Sequence, residues 1–151
     1  MNLSLIMLLI PSLLLFGCSQ QKGQVESASN ALVQSATTEL DARIPPDDPD
    51  KYKSIQDARD WQNPYLVIQR DGIALRCLAI YKGDWQIIPP EELRKRLIEL
   101  PVSAWPYGRV VAVQEIGIRS NNDEKYITAN KTNVDSVLKS LRIRNNAWPS
   151  A

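Results

Sequence analysis

The chain has 151 residues, with 18 Lys and Arg against 17 Asp and Glu for a formal net charge of +1, and it contains no His. That length accommodates one modest domain. The charge balance lacks the basic excess of a nucleic-acid binder, and without imidazole there is no Ser-His-Asp or Cys-His catalysis and no His-ligated zinc.

From Leu3 to Phe16 the chain reads LSLIMLLIPSLLLF, almost wholly apolar and broken by Pro11. As a helix this run would be about 21 Å long, short of the ~30 Å hydrocarbon core, so it fits the apolar core of a signal peptide better than a membrane span. The four residues that follow its centre, Leu15-Phe16-Gly17-Cys18, resemble the lipobox of bacterial lipoprotein precursors. That resemblance implies removal of residues 1–17 and acylation of Cys18, with membrane lipid as a partner through the acyl (palmitate-type) chains. Each buried methylene contributes about 0.8 kcal/mol, and two or more chains make a stable anchor. Ser19, where an Asp would suggest retention in the inner membrane, implies the periplasmic face of the outer membrane. With Cys18 acylated, Cys77 has no disulfide partner in an oxidising compartment and reads as a small buried apolar residue.

Residues 18–50 are rich in Ser, Gln, Ala, Thr and Asp and close with Pro45-Pro46-Asp47-Asp48-Pro49. They read as the lipidated Cys and a flexible tether of about 30 Å root-mean-square span. Val25, Leu32, Val33, Ala36 and Leu40 form a stripe too sparse for a helix that stands alone. The folded domain is placed at 51–151, where the aromatic residues begin with Tyr52.

Within it, 50–61 reads as a short helix stopped at Asn63-Pro64, and Tyr65 to Gln69 as a strand. Asp71-Gly72 signals a hairpin. Ile73, Leu75, Cys77, Ala79 and Tyr81 alternate as one face of a second strand. Trp85 to Ile88 reads as a third. Pro89-Pro90-Glu91-Glu92 opens a helix with proline in the first turn and carboxylates at the positive dipole end; Leu93, Leu97, Ile98 and Leu100 are its apolar face. Arg109 to Ile116 is a central strand and Lys125 to Ala129 its expected partner. Thr132 to Asp135 resembles a capping box that opens a last helix with Val134, Val137, Leu138 and Leu141 inside, and 142–147 returns as an edge strand. The expected fold class is α+β: a small mixed or antiparallel sheet with two helices packed on one face, preceded by the signal peptide and a disordered tether.

The run from Tyr65 to Ile143 resembles the periplasmic domain of the ExbD/TolR family. The resemblance rests on the Asp71-Gly72 opening, the Glu92-Leu93 to Leu97 helix, the Val110 to Val113 strand and the Val134, Val137, Leu138, Leu141 helix. It implies an α+β domain that docks peptidoglycan or an envelope protein. It does not extend to proton-driven energy transduction, because the apolar segment here holds no carboxylate.

Several chemical patterns are better explained by structure. Ser136 to Lys139 matches S-x-x-K, but its Ser-Asp-Asn and Lys-Thr-Gly companions are missing, so both residues read as a solvent-facing helix side. Glu91 and Glu92 serve the helix start, and Glu115 at a strand end is the acid least explained by packing. No catalytic residue, cofactor or metal site is expected. The recognition candidates are Trp105, Tyr107 and Arg109 in Trp-Pro-Tyr-Gly-Arg, because Trp, Tyr and Arg dominate binding hot spots, followed by Trp61 and Tyr65 in Trp-Gln-Asn-Pro-Tyr. The competing role for Trp105 is to plug a core that has no Phe. The expected function is that of a non-enzymatic, membrane-anchored periplasmic lipoprotein whose domain binds an envelope component, protein or peptidoglycan. The alternatives are an inhibitor or immunity protein against a periplasmic toxin or hydrolase, and a cell-wall enzyme working through carboxylates such as Glu115.

Overall fold

The computed structural model describes residues 34–35, 38–116 and 121–148. The expected signal peptide, Cys18 and the first part of the expected tether lie outside the described residues. Helical residues 34–35 and 38–43 (the latter α1) lead into a run of eight further elements and several single 3-10 turns. The elements are β1 (Tyr65–Gln69), β2 (Gly72–Arg76), α2 (Leu78–Tyr81), β3 (Trp85–Ile88), α3 (Leu93–Glu99), β4 (Val110–Glu115), α4 (Asn121–Ser140) and β5 (Arg144–Ala147). The strands form one five-stranded mixed sheet in the order β3-β2-β1-β4-β5. β1 to β3 form an antiparallel meander, whereas β4 runs parallel to β1 and β5 parallel to β4. Parallel neighbours need crossovers, which α3 and α4 supply. The fold is α+β.

The meander is tight because Gly72, at φ 148°, lies against β3: a Cβ there would sit 2.7 Å from the Ile88 carbonyl oxygen. β1 carries the side-chain alternation that divides the sheet. Leu66 and Ile68, with Ile73, Leu75, Ile88, Val111 and Val113, face the helices. Leu40 of α1, Leu93 and Leu97 of α3, Ile127, Val134 and Leu138 of α4, and Leu141 just past its end close that core. Tyr65, Val67, Ala74, Val110 and Ala112 face the other way, under loops that carry Tyr52, Trp61 and Tyr107.

Four expectations about elements are corrected. The second strand ends at Arg76, not Tyr81: Tyr81 N–H bonds the Cys77 carbonyl at 2.8 Å, and Lys82 (φ 52°) and Gly83 (φ 95°) turn the chain in left-handed conformation. Residues 50–61 make two separate 3-10 turns, Pro49–Lys51 and Ala58–Asp60, each opened by an Asp side chain, Asp48 or Asp57. The expected strand Lys125 to Ala129 lies inside α4, whose 20 residues bury Ile127 and Val134 at heptad spacing. The Thr132 hydroxyl accordingly donates back to the Thr128 carbonyl instead of capping a new helix. Arg142 (φ 53°) ends α4, with Ile143 N–H on the Leu138 carbonyl, the bonding of a Schellman cap.

The fourth correction concerns the domain boundary. Residues 38–50 are built into the domain and not into a tether. Leu40 and Ile44 are fully buried. Arg43 donates to the Ile98 and Leu100 carbonyls, Asp48 N–H bonds the Tyr107 carbonyl, and Arg109 N–H bonds that of Pro45. Gly108, at φ 78°, is where this segment crosses: a Cβ there would collide with the Pro46 carbonyl oxygen.

Candidate functional site

The five residues singled out for recognition all lie inside or at the floor of the domain. Trp61, Tyr65, Trp105 and Tyr107 are buried. Trp105 joins the aliphatic core beneath the helices, so the plug role is the one observed. The other three belong to the opposite face, in a network of tilted and edge-on rings. Trp61 stands 5.3 Å from Tyr107, 5.5 Å from Tyr52 and 5.7 Å from Trp148, measured between centroids. Edge-on contacts of this kind add about 0.5–1.5 kcal/mol each beyond area burial.

The polar ends of these rings are spent inside the fold. The Trp61 indole donates to the Pro64 carbonyl at 3.2 Å, and Tyr65 Oη donates to Gln114 Oε1 at 2.6 Å. Asn63, also buried, donates to the Gly108 and Val110 carbonyls and accepts from Tyr107 N–H. The Trp-Gln-Asn-Pro-Tyr and Trp-Pro-Tyr-Gly-Arg segments are thus bound to each other. Arg109 is only 12% exposed and forms an ion pair with Asp41, which Arg142 also contacts at 3.0 Å. Burial and the Arg142 charge push the Arg109 guanidinium below its ordinary pKa. The expectation that Trp105, Tyr107 and Arg109 present a recognition loop is corrected: a core without Phe takes its large rings from the same residue types that make hot spots.

Glu115 is also accounted for. Its carboxylate accepts from Lys131 Nζ of α4, and this bond raises the lysine's pKa. Ser136 and Lys139 sit on the exposed side of α4. Cys77 is buried and free, and burial pushes its thiol up. Among the described residues no three Cys, Asp or Glu gather as a metal site would require, and no helix is long and apolar enough to cross a membrane.

Two surface features remain. The first is an open groove of about 420 Å³ between the 52–56 loop and β5, lined by Tyr52, Lys53, Ile55, Gln56, Asn146, Ala147 and Trp148. Its floor is held by Asp47, which accepts from Tyr52 Oη at 2.7 Å and from Arg144 at 3.0 Å. Burial, then the Asp47 bond, raises the Tyr52 pKa to about 12, so the ring stays neutral. Trp148 is half-buried: it packs against Trp61 and Tyr65 and its remaining surface lines the groove. Lys53 and Gln56 are exposed on the rim. The second feature is the outer edge of β3, where Trp85 and Ile87 lie exposed. Trp85 is stacked under the Arg76 guanidinium, which also covers Tyr65. The sequence places Trp85 as the first residue of a strand and Trp148 just past another, and nothing in their neighbours distinguishes them from the buried Trp61.

No protein-family model, curated protein or solved structure matches this chain.

Proposed function

We propose that this chain is a lipid-anchored envelope protein, held to the periplasmic face of the outer membrane through acylated Cys18, whose domain binds peptidoglycan without chemical turnover. The observation that carries the binding half is the groove beside Trp148. Its size falls within the range of small-ligand clefts, about 300–1,000 Å³. An aromatic wall from Trp148 and Tyr52 suits the apolar face of a sugar ring, and the amides of Gln56 and Asn146 suit hydroxyl and acetamido groups. Lys53 supplies a cation for the carboxylates of a wall polymer; among the described residues its ion pair, with Asp50 at 4.0 Å, is loose and exposed. The anchoring half is supported by the Leu15-Phe16-Gly17-Cys18 sequence and its apolar leader.

The test uses the full chain expressed in a bacterial envelope. Membrane fractions are extracted in detergent and sedimented with purified cell-wall sacculi. Wild type is expected in the membrane fraction and in the sacculus pellet; Lys53→Glu, at an exposed position, lowers pelleting about tenfold without altering thermal unfolding. Labelled palmitate is expected to be incorporated into wild type and not into Cys18→Ser. Pelleting that is absent, or indifferent to Lys53→Glu and Trp148→Ala, refutes the binding half; wild type without label, or label retained in Cys18→Ser, refutes the anchor.

A further inference from the structure

The two edges of the sheet are finished differently. β5 begins at Arg144, paired with Asp47, and just beyond it Trp148 N–H bonds the Val113 carbonyl. β3, Trp85–Ile88, carries no charged residue, bonds β2 on one side and meets no strand on the other among the described residues. Ile87 is 64% exposed and Trp85 43% exposed. Soluble proteins blunt such edges with charge, proline or a covering loop, because an uncovered apolar edge templates strand pairing.

We propose that β3 pairs with β3 of a second copy of this chain, antiparallel about a two-fold axis through Gln86, so that two five-stranded sheets become one. The register with β2 puts Trp85 and Ile87 on one face, above Arg76 and Ala74. In an antiparallel self-pair centred on Gln86, each Trp85 lies opposite Ile87 of the other copy, and the two Gln86 residues face one another. Directly opposed residues share a sheet face, and aromatic with β-branched is a favoured cross-strand pair. Centring on Ile87 instead sets Trp85 opposite Pro89, which has no N–H to give.

Charge points to a second copy as the occupant. The paired stretch has no charge, so two identical strands bring no like charges face to face. Asp84 falls opposite Ile88 of the other copy. Antiparallel direction carries the flank with Lys82 of one copy toward the flank with Glu91 of the other, so opposite signs approach. The arrangement also closes. A two-fold contact uses both β3 edges and leaves outward only the β5 edges, each with its Arg144–Asp47 pair. This inference does not depend on the peptidoglycan reading, since the groove lies at the β5 end of the sheet.

The register makes the test specific. Directly opposed residues in antiparallel strands have Cα atoms about 4.5–5.5 Å apart, within the span a disulfide bridges. The full chain with Gln86→Cys, mildly oxidised in detergent, is expected to give a covalent dimer on a non-reducing gel. The parent chain and an Asn145→Cys variant on β5 serve as controls. Adding Ile87→Lys to Gln86→Cys is expected to cut the yield about tenfold or more, with circular dichroism showing an unchanged fold, because Ile87 is surface. Absence of the dimer, equal yield from Asn145→Cys, indifference to Ile87→Lys, or an adduct with a different protein each overturns the proposal.

Discussion

The two faces of the sheet solve the same burial problem with different chemistry. One is aliphatic and closed by helices: Leu66, Ile68, Leu75 and Val111 meet Leu40, Leu93, Leu97 and Leu138. The other is aromatic and closed by loops: Tyr65, Val67 and Ala112 lie under Tyr52, Trp61 and Tyr107. A helix satisfies its own backbone polar groups, so its side chains are free to be purely apolar. A loop does not, and the aromatic face therefore needs Asn63, the Trp61 indole and the Tyr52–Asp47 bond to hold its cover in place. Helices seal their face along its length, whereas the loops leave an open rim at Trp148. The groove lies there for that reason.

The strongest way to break this comparison is to remove the centre of the aromatic face. Trp61→Ala is expected to cost about 4 kcal/mol, against about 3 for Leu97→Ala on the helical face, both measured by urea unfolding. If Trp61→Ala costs no more than an exposed substitution, the loops are decoration and the comparison fails. Next in size is Asp41→Ala, which leaves Arg109 buried without its ion-pair partner and is expected to cost about 3 kcal/mol. Limited proteolysis should then cut within 38–48, which the wild-type domain protects. The smallest effect sharpens the role of polar handles. Tyr52 holds its proton to about 12 against 10.0 for an ordinary tyrosine. Below pH 10 both states keep it and the contribution is whole; as pH climbs from 10 toward 12 the unfolded chain ionises first and stability falls. Burial pushes Tyr65 and Tyr107 in the same direction. Tyr52→Phe is expected to cost about 1 kcal/mol at neutral pH and to make the alkaline loss shallower, read as unfolding midpoints across that window.

The aliphatic face was more legible in the sequence than the aromatic one. β1 and β3 and the Leu93, Leu97 and Leu138 faces follow from period and turn chemistry, because a helix or strand that buries one side must repeat. The interior of α4 defeated the same logic locally: Tyr126-Ile127-Thr128 favours a strand by residue type, and only packing of Ile127, Val134 and Leu141 on the sheet makes the helix the better solution. Ala79 and Tyr81 continue the alternation in residue type only: the chain leaves the strand after Arg76 and winds 78–81 into a helical turn that Lys82 and Gly83 close. Leu40 closes a stripe too sparse to read as a helix and Ile44 stands apart from it, and their burial depends on Gly108 and Arg109, some 65 positions away. For Trp105 and Tyr107 composition carried no signal of direction. A ring that anchors a partner and a ring that fills a Phe-free core are the same residue, and only the sheet's geometry separates Trp105 beneath the helices from Trp148 at the rim.

That separation can be read from the indole N–H resonances of the chain's 4 tryptophans as disaccharide-peptide fragments of peptidoglycan are added. The account predicts that Trp148 moves most, in proportion to occupancy, while Trp105 on the helical face stays fixed. A largest shift at Trp105, or no shift at Trp148 when fragments saturate, would contradict the claim that the open rim of the aromatic face is the working surface.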